Sequence, residues 1–319
     1  MSLPPNRNMP VVNVENRGAS VSVGVGMKSP LTKPLNIPKP NLAPSVSSVS
    51  NKKFTVKQND PSDFGKKIVI YGPAGAGKSS LAAMAPNPVF LDLNKGLTGL
   101  SVQVVDGIVT FADLRAAVQQ SIAFVPENGT LVVDTVSEAD EFIVDYLKVQ
   151  HKVESVSKLG YDKFPCASEA LRLLLSDFDP IIRSKRNVVL LAHEATINYK
   201  NALGNDYRQI GPRLLHSAND SCRDAVVAWS DHTIRVALAD AEVVSQTDAK
   251  GKVVAGKAVN RSTQRIITTD GNQSVIAKSR PILVEGKYYR LPPEGIAFTG
   301  PQDDSFWRGL ENPTIFDNQ

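Results

Sequence analysis

Cysteine is nearly absent: Cys166 and Cys222 are the only two in 319 residues, and neither has a C-x-x-C partner or a metal-type histidine spacing beside it. That argues against a disulfide framework and a zinc module, and fits a reducing compartment in which both thiols act as small apolar groups. No run of eighteen apolar residues is present, so the sequence offers no membrane span, and no charged segment followed by an apolar stretch suggests a secretory leader. A soluble protein of the cytoplasm is expected. No aromatic side chain occurs before Phe54. Acidic residues are as scarce there: Glu15 alone faces Arg7, Arg17, Lys28, Lys33, Lys39, Lys52 and Lys53. With eight prolines from Pro4 to Pro44, residues 1–53 read as a flexible basic arm that could follow a nucleic-acid backbone or dock on another subunit, or serve as a solubilising tail. The overall net charge of +4 says little about partners.

What is present is an apolar fraction of 42%, enough for a substantial core, and one sharply defined motif. Ile68-Val69-Ile70-Tyr71 leads into Gly72-Pro73-Ala74-Gly75-Ala76-Gly77-Lys78-Ser79 and then into Ser80-Leu81-Ala82-Ala83-Met84. This is G-x-x-x-x-G-K-[ST] between a strand and a helix. The glycines let successive backbone N–H groups turn inward on a polyphosphate at the positive end of the following helix. Lys78 is then placed for the β- and γ-phosphates and the Ser79 hydroxyl for Mg²⁺, which makes a nucleoside triphosphate with Mg²⁺ the expected ligand and residues 72–80 its cradle.

Downstream, Val89–Leu93, Thr130–Thr135 and Val188–Glu194 read as buried strands, and Val102–Val105 as a short one, with helices between them. Thr110 and Asp113 form a capping-box pattern before a helix. The helix from Ser168 carries an apolar stripe through Leu171, Leu174, Leu175, Phe178, Ile181 and Ile182. Phe54–Lys57 alternates like an edge strand. Later strands are expected at Thr233–Leu238, Glu242–Ser245 and Arg265–Thr269, with a basic segment from Lys250 to Arg261 between the last two. Residues 148–166 and 195–222 read as polar, basic stretches with interleaved aromatics. The alternation predicts a mostly parallel central sheet with helices on both faces, spanning residues 54–295, followed by an irregular tail over 296–319 in which Phe306, Trp307, Ile315 and Phe316 offer anchors. Asp134 ends its strand where an acid can complete the Mg²⁺ site begun by Ser79; the plain alternative is a cap for the next helix.

These motifs, in this order, resemble the RecA-like ATPases, and among them the short phage-encoded proteins that anneal single strands with ATP. The residues that carry the resemblance are the phosphate loop, Phe90-Leu91-Asp92-Leu93-Asn94, the Asp134 strand, Leu190-Leu191-Ala192-His193-Glu194 and Ala277-Lys278-Ser279-Arg280. The resemblance implies that His193 senses the γ-phosphate, and that Lys278 and Arg280 reach the nucleotide of a neighbouring subunit. It also places two DNA-facing loops in the polar stretches at 148–166 and 195–222. Single-stranded DNA, a homo-oligomer and a single-strand-binding protein are the implied partners. The family carries a glutamate where this chain has Asn94, and an amide orients water without accepting its proton, so slow hydrolysis is expected unless Glu138 or Glu194 substitutes. A nucleotide-driven protein switch is the second reading, and a small-molecule kinase the third.

Overall fold

The fold is taken from a computed structural model that describes residues 55–199, 207–217, 221–239, 242–247, 253–260 and 264–317. Residues 1–53, read above as a basic arm, Phe54, residues 200–206 and the basic residues Lys250, Lys252 and Arg261 lie outside the described residues.

Strand β1 (Lys67–Gly72) is the middle of the sheet because five of its six residues are apolar or Gly and buried. It is followed by α1 (Lys78–Ala82), β2 (Pro88–Asp92), β3 (Gln103–Val105), α2 (Phe111–Gln120), β4 (Thr130–Asp134) and α3 (Val136–His151). Next come α4 (Lys163–Asp177), α5 (Asp179–Arg183), β5 (Asn187–Tyr199), β6 (Tyr207–Pro212), α6 (Cys222–Trp229) and β7 (His232–Leu238). The remainder is mostly strand: β8 (Glu242–Thr247), β9 (Val253–Asn260), β10 (Arg265–Thr268), β11 (Lys278–Ser279), β12 (Ile282–Val284), β13 (Lys287–Tyr289) and β14 (Ile296–Phe298), closed by α7 (Ser305–Glu311).

The main sheet runs β14-β10-β7-β1-β5-β4-β2-β3, with β6 added to β5 and β11 to β7. Strands β7, β1, β5, β4, β2 and β3 are parallel, and β10 and β14 extend the sheet with antiparallel pairing. This is the mostly parallel sheet that the sequence predicts. β8–β9 and β12–β13 are separate antiparallel hairpins.

Alternation along each strand feeds two cores. Val69, Tyr71, Leu131, Val133, Val188 and Leu190 face α2 to α6, whose Leu114, Ile143, Leu171, Leu174 and Val226 are fully buried. Ile68, Ile70, Phe90, Val132, Val189 and Leu191 face the opposite way, onto Leu81 of α1 and Phe306, Trp307 and Leu310 of α7. Helices therefore cover both faces.

Four expectations are corrected. Residues 55–57 form no strand, and Val56 is fully exposed. The stretch 148–166 is largely helical: α3 runs to His151 before Lys152 turns left-handed (φ 52°), and α4 starts at Lys163 rather than at Ser168. Its charges read as loop because they lie on outward faces, where Lys148 pairs with Asp145 at 2.7 Å and Lys158 with Glu154 at 2.8 Å. The stripe from 168 to 182 is divided between α4 and α5 at Pro180, which lacks the N–H a continuous helix needs. Residues 195–199 and 207–212 pair from Glu194↔Pro212 to Tyr199↔Tyr207, so a hairpin replaces most of the expected loop.

Residues 296–317, set apart in the sequence as a tail, form β14 on the sheet and α7 on its core, where Trp307 Nε1 donates to the Leu81 carbonyl at 2.7 Å. The described residues from Gln58 onward make one compact unit.

Candidate nucleotide site

The phosphate loop leaves β1 at Gly72, which β7 crowds so closely that a Cβ would stand 2.0 Å from the Val236 carbonyl oxygen. Only glycine, with no side chain, fits that close approach. Gly77 caps α1 in a left-handed conformation (φ 99°) and completes the curl. The Lys78 side chain is buried back along the loop, its Nζ donating to the carbonyls of Gly72 (3.1 Å) and Pro73 (2.9 Å). Burial lowers its ammonium below the ordinary lysine value, with Asp134 and Glu194 opposing. Lys78 is thus a cation held inside its own loop by two neutral acceptors, which a phosphate can replace.

Asp134 ends β4, is 4% exposed, and accepts a hydrogen bond of 2.7 Å from Ser79 Oγ. Burial raises its carboxyl above the ordinary value; the Ser79 bond and Lys78 oppose that, and Asp92 adds to it. Two hard oxygens from separate elements, one of them a desolvated carboxylate, fit a Mg²⁺ ion that keeps most of its shell for water and phosphate. The sequence did not single out Asp92, although β2 sets it directly beside Asp134 in the parallel ladder.

β5 lies between β1 and β4, and its His193 stands level with Gly72. The His193 N–H donates to Ser137 Oγ at 3.1 Å, and its carbonyl accepts from Arg213 N at 2.8 Å. Ser137 in turn donates to the Arg213 carbonyl at 2.9 Å. Burial, with Lys78 and Arg213 nearby, holds the imidazole below its ordinary value and favours its neutral, hydrogen-bonding form.

Asn94 is exposed in the loop after β2, with its Oδ1 accepting from Gly96 N at 2.9 Å. Gly96, Gly99 and Leu100 of that loop line a cavity of about 440 Å³ with Gly75, Gly77, Lys78, Ser79 and Ser80. Of the substitute carboxylates, Glu194 is paired with Arg235 at 3.0 Å and Glu138 lies in the first turn of α3.

The AAA domain family pattern matches residues 65–281, more than half of the chain, including the phosphate loop, Asp134 and His193. The chain belongs to the AAA domain family. It is thereby a nucleotide-binding P-loop ATPase domain. Among solved structures, it is similar to a KaiC-like protein from the hyperthermophilic archaeon Pyrococcus horikoshii OT3, at 13% identity over 74% of this chain and 90% of that one, with a TM-score of 0.35. No curated protein sequence matches it.

The AAA domain therefore brings Gly72–Ser80 and Asp134, at the C-terminal ends of β1 and β4, together with His193 part-way along β5, with the Asn94 loop at the edge. It does not bring Lys278 and Arg280 there. Their strand pairs with the start of β7, where Lys278 is level with Thr233 and Ser279 with His232, and Arg280 pairs with Asp231 at 3.0 Å. In the sheet these are levels of Val69 and Ile68, at the end away from the phosphate loop.

The cavity has a second wall made by Arg265, Phe298, Gly300 and Pro301. None of the four was singled out from the sequence as a site residue, since they lie far along the chain and match no phosphate-site pattern; the available signals were the strand pattern from Arg265 and the alternation of Ile296-Ala297-Phe298. Among the described residues no helix is long and apolar enough to cross a membrane.

Proposed function

We propose that this AAA domain is an ATP- and Mg²⁺-binding protein of the RecA-like kind that oligomerises on single-stranded DNA and promotes annealing or homologous recombination, as the short phage-encoded annealing proteins do. The observation that carries the reading is the continuity of β5: one unbroken strand runs from the sheet centre through His193 to Tyr199 and turns back through Tyr207 and Arg208 of β6. A change at the nucleotide has a rigid route to a hairpin carrying aromatic and basic residues, the chemistry that suits stacked bases and phosphates.

The roles follow from position. Gly72, Pro73, Ala74, Gly75, Ala76, Gly77 and Ser80 cradle the phosphates, and Lys78 exchanges its two carbonyl partners for phosphate oxygens. Ser79 and Asp134 would hold Mg²⁺, which supplies charge neutralisation at the phosphate oxygens. His193 donates a hydrogen bond toward the γ-phosphate and passes its state to Ser137 and Arg213. Asn94 orients water, with Asp92 the nearest ladder neighbour of Asp134 able to accept a proton. Lys278 and Arg280, remote from their own loop, serve the nucleotide of the next subunit. A single-strand-binding protein is the natural handover partner for such an assembly.

A second reading, a protein-interaction switch with little hydrolysis, is favoured by Asn94, because no carboxylate stands at that position. ATP turnover with and without single-stranded DNA separates the two. The first reading expects slow turnover that DNA accelerates, none in Lys78→Ala, and a several-fold rise in Asn94→Glu. Turnover indifferent to DNA in both wild type and Asn94→Glu would overturn it in favour of the switch.

A further inference from the structure

Arg265 opens β10 directly across the antiparallel ladder from Phe298 of β14. Both side chains lie on the α1 side of the sheet. Ile267, two residues along, is fully buried in the core that holds Leu81. The point where a Cβ on Gly77 would stand is 2.9 Å from Phe298 Cε1 and 3.7 Å from both Cδ and Nε of Arg265. The arginine thus crosses the cap of α1 and lines the cavity that the phosphate loop opens into. Its Nε is buried and has no hydrogen-bond partner among the described residues, and Arg265 forms no ion pair among them either.

A guanidinium stays charged at any pH a protein meets, and here a half-buried one has its Nε–H enclosed without an acceptor while the rest of the group faces the cavity, an arrangement that costs stability. The arrangement becomes favourable when an anion sits in the cavity against the N-terminus of α1. Which part of a nucleotide that is follows from the strand order. β4, with Asp134, lies two strands from β1 on one side, and β10 lies two strands away on the other. Arg265 therefore approaches the phosphate loop from the side opposite Asp134.

Resting on the nucleotide-site reading above, we propose that Arg265 is a phosphate ligand acting within its own chain. It donates to the α- and β-phosphates, and Phe298 packs it over Gly77. It retains nucleotide in both states of the cycle and leaves recognition of the γ-phosphate to Lys78 and His193.

Calorimetric titration of Mg²⁺·ADP, a non-hydrolysable Mg²⁺·ATP analogue and magnesium pyrophosphate into wild type, Arg265→Met, Arg265→Lys and Lys78→Ala tests this. Arg265→Met is expected to weaken all three ligands about tenfold or more and by the same factor, with Arg265→Lys recovering part of the loss. Without ligand, Arg265→Met is expected to unfold at a temperature equal to or above that of wild type, because it removes an enclosed N–H that lacks an acceptor. Affinity for ADP within twofold of wild type overturns the proposal, as does a loss confined to the nucleotides with pyrophosphate unaffected, which would assign the guanidinium to the base or ribose. A lowered unfolding temperature with unchanged affinity makes Arg265 structural. If wild type and Lys78→Ala bind all three ligands alike, the nucleotide-site reading fails first and this proposal with it.

Discussion

Asp140 on α3 shows at one residue how burial sets chemistry away from the phosphates. Its Oδ2 accepts from Leu215 N at 2.9 Å, whereas Oδ1 is buried and has no partner among the described residues. Burial pushes the carboxyl up to about 6 from an ordinary 3.8, Glu141 adds to that, and Arg213 and the Cys222 thiol act against it. A raised acid stabilises the fold while protonated, so that contribution is complete below about pH 4 and is lost as the pH rises through 6. Asp140→Asn keeps an acceptor for Leu215 and cannot ionise. It is expected to raise the thermal midpoint above pH 6, by roughly 1–2 kcal/mol in stability, and to flatten the profile between pH 4 and 6. An unchanged profile in unfolding scans across that range would contradict the assignment. Residues whose partners are near in sequence were legible at this scale. The curl from Gly72 to Ser79 needs only its own glycines and lysine, and Asp134 could be read from the apolar run that ends in it. Arg265 and Asp92 were not, because their meaning comes from strands paired across the sheet.

Among the elements, α7 carries the clearest lesson and a direct test. Ser305–Glu311 looked like part of a tail, because Phe306-Trp307 stands amid Pro, Asp and Asn residues and the helix is only seven residues long. It is held by what it buries: Phe306, Trp307 and Leu310 are almost wholly enclosed against α1. Trp307→Ala removes that packing and the bond to Leu81, and is expected to cost about 3–5 kcal/mol in denaturant unfolding. A loss below about 1 kcal/mol would mean the helix is not docked. The cap of α2, by contrast, was readable in full: Thr110 Oγ1 accepts from Asp113 N at 3.1 Å and Asp113 Oδ2 from Thr110 N at 2.9 Å. Thr110→Ala is expected to cost about 1 kcal/mol. The hairpin of β5 and β6 was half legible. Ala195, Ile197 and Tyr199 do alternate, but the polar residues between them and the tip outweighed that period.

For the whole molecule, the parallel sheet with helices on both faces was legible because buried strands write themselves as continuous apolar runs and the helices between them as periodic ones. Its antiparallel extension through β10 and β14 was less so, as strands of three or four residues carry too little pattern to assign a neighbour. That extension closes the cavity beside the phosphate loop, so nucleotide should bind across both parts and tie them together. Mg²⁺·ATP at a hundredfold excess over its dissociation constant is expected to add about 2.7 kcal/mol to stability, and Lys78→Ala or chelation of Mg²⁺ to remove most of it. Thermal shift with and without chelator reads this, and an equal shift in Lys78→Ala would place the ligand elsewhere.

The measurement that reaches the central claim is fluorescence anisotropy of a labelled single-stranded oligonucleotide, titrated at low salt with wild type in Mg²⁺·ATP, in Mg²⁺·ADP and without nucleotide. The account predicts binding that is tightest with ATP, weakens steeply as salt is raised, and loses its ATP dependence in Lys78→Ala. No binding at low salt with ATP and Mg²⁺ present would contradict it.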